Sequence, residues 1–339
     1  MSASNVEQSD QDNIAWRPDY PAIHQQLSPV YQALANWRAA QEIEKRTTYR
    51  NALIALVVAA LIALACQFSP DSASVSFFVI LIGFIGIVIY LIAKLSGQGA
   101  AYRHLYKAEI FRRVVEVIAP TMVYHPEKCV EQSFFEESEL HRSRIDRYQG
   151  EDYFVGKVGK TSLLFSELDV ERKETSTDSK GHRTTRWVNV FRGIFMVLDY
   201  HKAFHGKTLI QTDVAESAFG WLGRKIQNIG GGLVQLENPA FEKAFKVTST
   251  DQVEARYILT PKMQERMLEL RNDWNERIQF AFHRSLLFIS LPTSQKWFEL
   301  HTESTTDHDA EVKHFAAQLL SLLNIVNSLD QNTRLWTKT

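Results

Sequence analysis

Two long apolar runs dominate the pattern of hydrophobic and polar positions along the chain. The first covers 52–68 and the second covers 75–93, and neither contains a charged residue. A bilayer core about 30 Å thick is crossed by roughly 20 helical residues, so each run has about the required length once a few flanking residues are added. The short connection contains Pro70 and Asp71, which favour a turn. The pattern therefore predicts a transmembrane helical hairpin at 52–93.

Basic residues are concentrated on the outer flanks of this hairpin. The connection between the two runs contains no lysine or arginine. Positively charged flanks remain on the cytoplasmic side of a membrane, so the distribution predicts a multi-pass protein with both termini in the cytoplasm and the lipid bilayer as a partner. The flanking basic residues are Arg38, Lys45, Arg46, Arg50, Lys94, Arg103, Lys107, Arg112 and Arg113.

Small residues recur within both apolar runs. Ala55, Ala59 and Ala63 are spaced four residues apart in the first, and Gly83 and Gly86 lie in the second. Small side chains let helix backbones approach closely, so these five residues are predicted to mediate helix packing. Two interpretations remain open, because the residues could pack the hairpin against itself or pair protomers in a homo-oligomer.

The segments around the hairpin differ in character. Residues 1–28 form a polar tail that is predicted to be disordered. Residues 29–51 have apolar positions at helical spacing and predict a cytoplasmic helix, and residues 94–119 predict a basic amphipathic helix next to the membrane, ended by Pro120. Residues 120–339 then predict a separate cytoplasmic α+β domain.

The pattern within 120–339 changes from helical spacing to strand alternation and back. Apolar and acidic residues alternate over 166–174, which predicts a half-buried strand. Residues 187–200 predict a central strand with 206–214 as its neighbour, and 278–292 predicts another strand. The polar residues 176–185 are interpreted as a turn. The fold class expected is α+β, with a transmembrane hairpin before a mixed α/β cytoplasmic domain that has a mainly antiparallel sheet.

Helices in the second half of this domain are indicated by their capping residues. An Asn, Asp or Thr can accept hydrogen bonds from the first free N–H groups of a helix, and proline suits the first helical position. A long amphipathic helix is also expected at 311–329. The predicted starts are Asn238 with Pro239, Asp251 with Glu254, and Thr260 with Pro261.

Composition narrows the function classes. The formal net charge is −1 and the calculated pI is near 6.8, so no global positive field favours nucleic acid as a partner. The two cysteines, Cys66 and Cys129, are far apart in sequence, which argues against a disulfide framework.

The segment VGKVGKT, residues 155–161, has the composition of a phosphate-binding loop. A P-loop requires four residues between its two glycines, whereas Gly156 and Gly159 are separated by two, and the following residues alternate like a strand. The segment is therefore predicted to be a turn between strands, and no cofactor is predicted.

Other candidate chemistry is weak at the sequence level. His201 and His205 have the spacing of a helical metal pair, but Lys202 stands where a metalloprotease has its glutamate. A surface position is the better interpretation. No catalytic or metal-ligating residue is therefore assigned, and whether the protein is an enzyme stays open, with the balance against it.

The composition of residues 218–234 suggests a contact surface. Apolar side chains lie on one helical side with an aromatic and two basic residues near one end. The segment is predicted to contact a membrane or a partner, although core packing followed by a loop gives the same pattern. The residues concerned are Phe219, Trp221, Leu222, Arg224, Lys225 and Ile226.

Residues 190–210 and 236–261 resemble segments of a bacterial family of two-span membrane proteins of unknown function, DUF3137. The resemblance implies a bacterial inner (cell) membrane location and, as a partner, a LemA-type membrane protein. It implies no catalytic residues.

The leading functional hypothesis is a non-enzymatic, inner-membrane-anchored scaffold or adaptor that presents its α+β domain to a protein partner. The alternatives are a membrane-tethered enzyme acting on a lipid or envelope substrate and a secreted effector that inserts into a host membrane. For the enzyme, acids such as Asp199 or Asp213 and a histidine such as His201 would have to converge in the fold.

Overall fold

The chain folds into two compact units in the computed structural model. The structure describes residues 20–66, 73–177, 182–200, 202–212, 231–274, 277–300 and 308–333. The helical unit comprises Asp19–Arg113 and Leu300–Val312, and the sheet unit comprises Val114–Glu299 and Lys313–Thr339.

Two long helices build most of the helical unit. Helix α1 spans Tyr20–Cys66 and α2 spans Ala73–Tyr106, followed by a π-helical turn at Lys107–Phe111 and by α3 at Arg112–Ile118. The first half of α1 buries one apolar stripe at helical spacing, and the Trp37 and Tyr102 rings of the two helices stack with centroids 5.8 Å apart. The stripe consists of Ile23, Leu27, Val30 and Leu34.

The predicted transmembrane hairpin is contradicted. Many of the apolar side chains that the structure describes in these two helices, at 53–61 of α1 and 81–90 of α2, are exposed. Within the described residues, no helix combines the length and the apolar character needed to cross a membrane. The predicted localisation, a multi-pass protein of the bacterial inner membrane with both termini cytoplasmic, is contradicted by the same finding.

A nine-stranded sheet forms the centre of the sheet unit. Its strand order is β1-β2-β3-β4-β9-β8-β5-β7-β6, and each described pair of neighbours is antiparallel. The strands are β1 Met122–His125, β2 Arg147–Val158, β3 Thr161–Thr177, β4 Arg183–Asp199, β5 Lys207–Thr212, β6 Gly232–Leu233, β7 Phe245–Ser249, β8 Gln279–His283 and β9 Leu286–Pro292.

Five helices accompany the sheet in sequence order. Three of them begin at the predicted capping residues, since the side chains of Asn238, Asp251 and Thr260 accept hydrogen bonds from N–H groups of the first helical turn. The helices are α4 Gln132–Ser138, α5 Pro239–Ala244, α6 Gln252–Ile258, α7 Pro261–Asp273 and α8 His308–Thr333.

Both faces of the sheet are covered. Side chains alternate between faces along a strand, so Leu168 and Phe165 of β3 point to opposite sides. On the first face, Phe135 of α4 lies in one cluster with Leu168 and Phe195 of β4. On the second face, the rings of Phe165 and Phe154 stack with centroids 4.5 Å apart, and Phe315 of α8 packs against Phe154.

The α+β class and the antiparallel sheet agree with expectation, but two details of the sheet differ. The predicted strand 278–292 is a hairpin of β8 and β9, which turns at Arg284 with a φ of 56°. Strand β5 pairs with β7 and β8 rather than with β4, whose partners are β3 and β9. Strand partners depend on contacts between distant segments, which alternation along one segment does not encode.

The glycines of residues 155–161 serve a β-hairpin. The turn between β2 and β3 includes Gly159 with a φ of 59°, a conformation that glycine adopts without steric cost. Gly156 lies in β2 where an added Cβ would come within 2.1 Å of the carbonyl oxygen of Thr121. Both glycines therefore have structural roles in the hairpin.

Candidate partner-binding surface

Strands β3 and β4 extend beyond the rest of the sheet as a two-stranded ribbon. Each strand has 17 residues. Pairing of β2 with β3 stops at Glu171, and pairing of β9 with β4 covers only Gly193 to Asp199. Residues 172–177 of β3 pair with 183–188 of β4, and 189–192 of β4 lie beside 169–171. Residues 172–177 and 183–192, called the ribbon below, have no further strand beside them in the described part of the chain. Most of their side chains are exposed.

Cross-strand polar contacts hold the ribbon together. Arg186 donates from Nε at 3.1 Å and from Nη2 at 2.8 Å to the Glu174 carboxylate, which also pairs with Arg172. The hydroxyls of Thr175 and Thr185 lie 3.4 Å apart. β-Branched and charged cross-strand pairs of this kind stabilise an exposed ladder that buries little apolar surface.

The ribbon leaves the sheet at Gly193. This residue has a φ of 146°, and a Cβ built on it would lie 2.1 Å from the carbonyl oxygen of Leu291. Opposite it is Pro292, the last residue of β9, which has no N–H to extend the ladder. Thr293 makes the last contact by donating its N–H to the carbonyl oxygen of Arg192 at 3.0 Å.

The base of the ribbon presents an aromatic side chain next to an arginine. The Trp187 side chain is exposed, at 43% of its maximum, and the guanidinium carbon of Arg147 lies 3.9 Å from the centre of a Trp187 ring. Tryptophan and arginine are the residue types most enriched at the energetic centres of protein interfaces. The pair thus offers a preformed apolar and cationic contact surface.

Charge on the ribbon is unbalanced between its strands. From Arg183 to Arg192, β4 contains three arginines and no acidic residue. Arg192 pairs with Asp169 of β3, to which its Nε donates at 3.0 Å. This pairing raises the pKa of Arg192, mainly through the hydrogen bond. The ribbon is locally cationic although the whole chain has a net charge of −1.

A second group of charged side chains lies where α4 meets β5 and the β8–β9 turn. Glu139 pairs with Arg142 and with Lys207, and it occupies the C-cap of α4 with a φ of 53°. Glu137 lies 3.4 Å from Nδ1 of His283 and 3.1 Å from Arg284. This charged cluster comprises Glu137, Glu139, Arg142, Lys207, His283 and Arg284.

Burial and neighbouring charges perturb the titration of this cluster. Desolvation lowers the pKa of Lys207, and the charges of Arg142 and Arg284 add to the effect. Desolvation and the charge of Lys207 lower the pKa of His283, although Glu137 opposes the shift. For His283 the lowered pKa favours the neutral imidazole, which is the form that acts as a general base. Lys207 remains ion-paired with Glu139. The same contacts also fasten α4 to the sheet.

Clusters of potential metal ligands and the free thiol were the other features considered for chemistry. The described residues contain no group of three or more His, Cys, Asp or Glu side chains arranged to hold a metal ion. The isolated Cys129 thiol is partly buried, which raises its pKa and disfavours the reactive thiolate.

The residues singled out from the sequence are placed as follows. Ala55 is exposed and Ala59 half-buried, Gly83 and Gly86 have nothing within 4 Å of the position a Cβ would take, and the side chain of Ala63 is outside the described part. Their role in helix packing stays a prediction.

The predicted membrane-contact or partner-binding residues cannot be compared with the structure, because residues 213–230 lie outside the described part of the chain. This range includes Phe219, Trp221, Leu222, Arg224, Lys225 and Ile226. Asp213 and His201 also lie outside the described part of the chain. Asp199 is the last residue of β4 and pairs with Leu286.

Sequence reasoning missed the ribbon. Residues 176–185 were expected to form a polar turn, but strand pairing continues to Thr177 and resumes at Arg183. The available signal was the set of β-branched threonines at 175, 177, 184 and 185, which favours strands over turns.

Comparison with known protein families gives a match over part of the chain. The family described as protein of unknown function (DUF3137) matches residues 189–331, so the chain resembles that family from the middle of β4 to near the end of α8. A comparison with curated proteins gives no match.

A solved structure with some likeness is that of the mycobacterial trehalose monomycolate transport factor A, TtfA. The sequences are 11% identical, and the alignment covers 60% of this chain and 88% of that one with a TM-score of 0.30. A likeness at this TM-score carries no argument about function.

Proposed function

We propose that this protein is a non-enzymatic adaptor whose sheet unit recruits a protein partner through the ribbon. The observation that carries the proposal is the projection of β3 and β4 past every described neighbouring strand, with exposed Trp187 packed under Arg147 at its base. Exposed strand edges are normally covered or used for binding.

Photo-crosslinking in the native cells tests this function. A photoreactive residue at exposed Thr184 in the full chain is expected to capture a discrete protein. The same residue at exposed Glu265 of α7 serves as the matched control position. Trp187→Ala is expected to reduce the Thr184 product at least about tenfold, since interface tryptophans contribute about 2 kcal/mol or more. Equal amounts of crosslinked protein at Thr184 and Glu265 would contradict the proposal. A Thr184 product that is unchanged by Trp187→Ala would also contradict it.

A second candidate function is an enzyme that acts at the charged cluster. It is favoured by the convergence of His283, Glu137 and Lys207 and by the lowered pKa of His283. Cells carrying His283→Gln or Trp187→Ala separate the two functions when compared with cells lacking the gene. If the protein is an enzyme, His283→Gln is expected to reproduce the defect of cells that lack the gene. If it is an adaptor, Trp187→Ala is expected to reproduce that defect.

A further inference from the structure

The two long edges of the ribbon are not equivalent. On the β3 side, the backbone N–H of Lys173 donates to the Asp146 carboxylate at 2.8 Å, and the N–H of Asp146 donates to the carbonyl oxygen of Glu171 at 3.0 Å. A loop thus occupies the start of the β3 edge. On the β4 side, no strand of the described part lies beside residues 183–191. The β4 edge is the open one.

The composition of this edge suits another strand. Residues 183–191 contain no proline and include β-branched Thr184, Thr185, Val188 and Val190. Natural proteins block exposed edges with proline, bulges, very short strands or charged side chains, and of these devices residues 183–191 carry the charges of Arg183 and Arg186, which a partner strand has to match. The β4 edge carries a bulge only where it rejoins the sheet, between the pairs Val170–Phe191 and Glu171–Asn189. Beyond that point its backbone ladder is regular.

The positive charge of the β4 edge indicates which kind of strand could be added beside it. An antiparallel second copy of this edge would add its own Arg183 and Arg186 to a ribbon that is already cationic, and in the register centred between Thr184 and Thr185 these arginines would face each other, which is destabilising. An acidic segment would instead place carboxylates opposite these arginines. Arg147 and Trp187 lie at the base of the same ribbon and would receive an apolar or acidic side chain.

We propose that the β4 edge, residues 183–191, binds an extended acidic segment of a protein partner as an added antiparallel strand. This inference rests on the proposed adaptor function and identifies the chemistry of its partner. Main-chain hydrogen bonds would supply affinity, and Arg183, Arg186 and Trp187 would supply selectivity.

Peptide binding to the full-length protein tests the chemistry. The probe is an eight-residue peptide of alternating Glu and Val, and its matched control has Lys in place of each Glu. We expect the acidic peptide to bind at least about tenfold more tightly, and we expect Arg183→Glu with Arg186→Glu to reverse the preference. Equal binding of the two peptides, or preference for a DNA oligonucleotide over the acidic peptide, would overturn the inference. Circular dichroism of each variant establishes that the sheet is retained.

Hydrogen–deuterium exchange tests the geometry. With the acidic peptide bound, amides of residues 183–191 are expected to exchange at least about tenfold more slowly, whereas those of residues 172–177 change little, because only the β4 edge gains a neighbour. Protection confined to β3, or spread evenly, would overturn strand addition.

The adaptor function and the acidic-strand partner can be contradicted independently. Crosslinking at Thr184 that depends on Trp187 but survives Arg183→Glu with Arg186→Glu would retain the adaptor function and eliminate the acidic-strand partner. Loss of all crosslinking at the ribbon would eliminate both.

Discussion

Single residues determine where the short helices of the sheet unit begin. The side-chain oxygen of Asn238 accepts hydrogen bonds from the N–H groups of Ala240 at 3.0 Å and Phe241 at 3.2 Å. The side chain of Asp251 caps α6 in the same way, accepting from Val253 at 2.9 Å and Glu254 at 3.0 Å. These contacts span two or three residues, so they can be predicted from the sequence.

Replacing the cap of α5 tests its contribution to stability. Asn238→Ala is expected to lower the free energy of unfolding by about 1 kcal/mol, because two helical N–H groups lose their acceptor. Asn238→Asp keeps an acceptor and is expected to cost much less. Urea unfolding of the full chain measures both, and equal losses would show that the cap has no specific role.

The position of His283 makes part of the stability dependent on pH. Its pKa is lowered from the ordinary value of 6.5, so the folded state resists protonation that the unfolded state accepts. The neutral form therefore contributes stability above pH 6.5, and this contribution is lost as pH falls toward the lowered pKa. We expect stability to decline less on acidification from about pH 7.5 to about pH 5.5 in His283→Gln than in the wild type. Parallel declines would contradict this assignment.

At the scale of elements, the ribbon depends on one backbone position. Gly193 allows β4 to pass Leu291 closely and continue after β9 has ended at Pro292. The strand character of residues around it was predicted from apolar composition. The partner strands of β4 and the length of its exposed part were not predicted, because both depend on where the neighbouring strands end.

Gly193→Ala tests this dependence. The added Cβ would meet the carbonyl oxygen of Leu291 at 2.1 Å, at a φ of 146° that alanine rarely adopts. We expect a loss of about 1–3 kcal/mol in the free energy of unfolding. Ser176→Ala, an exposed position in the ribbon, is expected to change stability by less than about 0.5 kcal/mol. A Gly193→Ala protein as stable as this control would contradict the structural role.

At the scale of the whole molecule, the ribbon contributes surface and little core. Arg172 is opposite Val188 in the β3–β4 register, so the ribbon can be shortened by joining these two residues through an Asn-Gly turn in place of 173–187.

The shortened chain is expected to fold, because the described residues among those removed, 173–177 and 182–187, are mostly exposed. Its thermal midpoint should stay close to that of the full chain, while partner crosslinking through the ribbon is lost. Thermal unfolding and crosslinking at the retained Asn189 measure the two properties. Global unfolding of the shortened chain would show instead that the ribbon is needed for the core.

The sequence alone determined the local features of this protein: the helix caps, the glycine turn between β2 and β3, and the alternation that produces strands in an α+β unit. These features depend on residues within a few positions of one another. The tertiary structure alone decided the strand order, the ribbon, and the charged cluster of Glu137, Lys207 and His283, because these arise from segments far apart in the chain. It also corrected the predicted membrane hairpin, since composition predicted helices at both apolar runs but the described helices do not meet the requirements for crossing a bilayer.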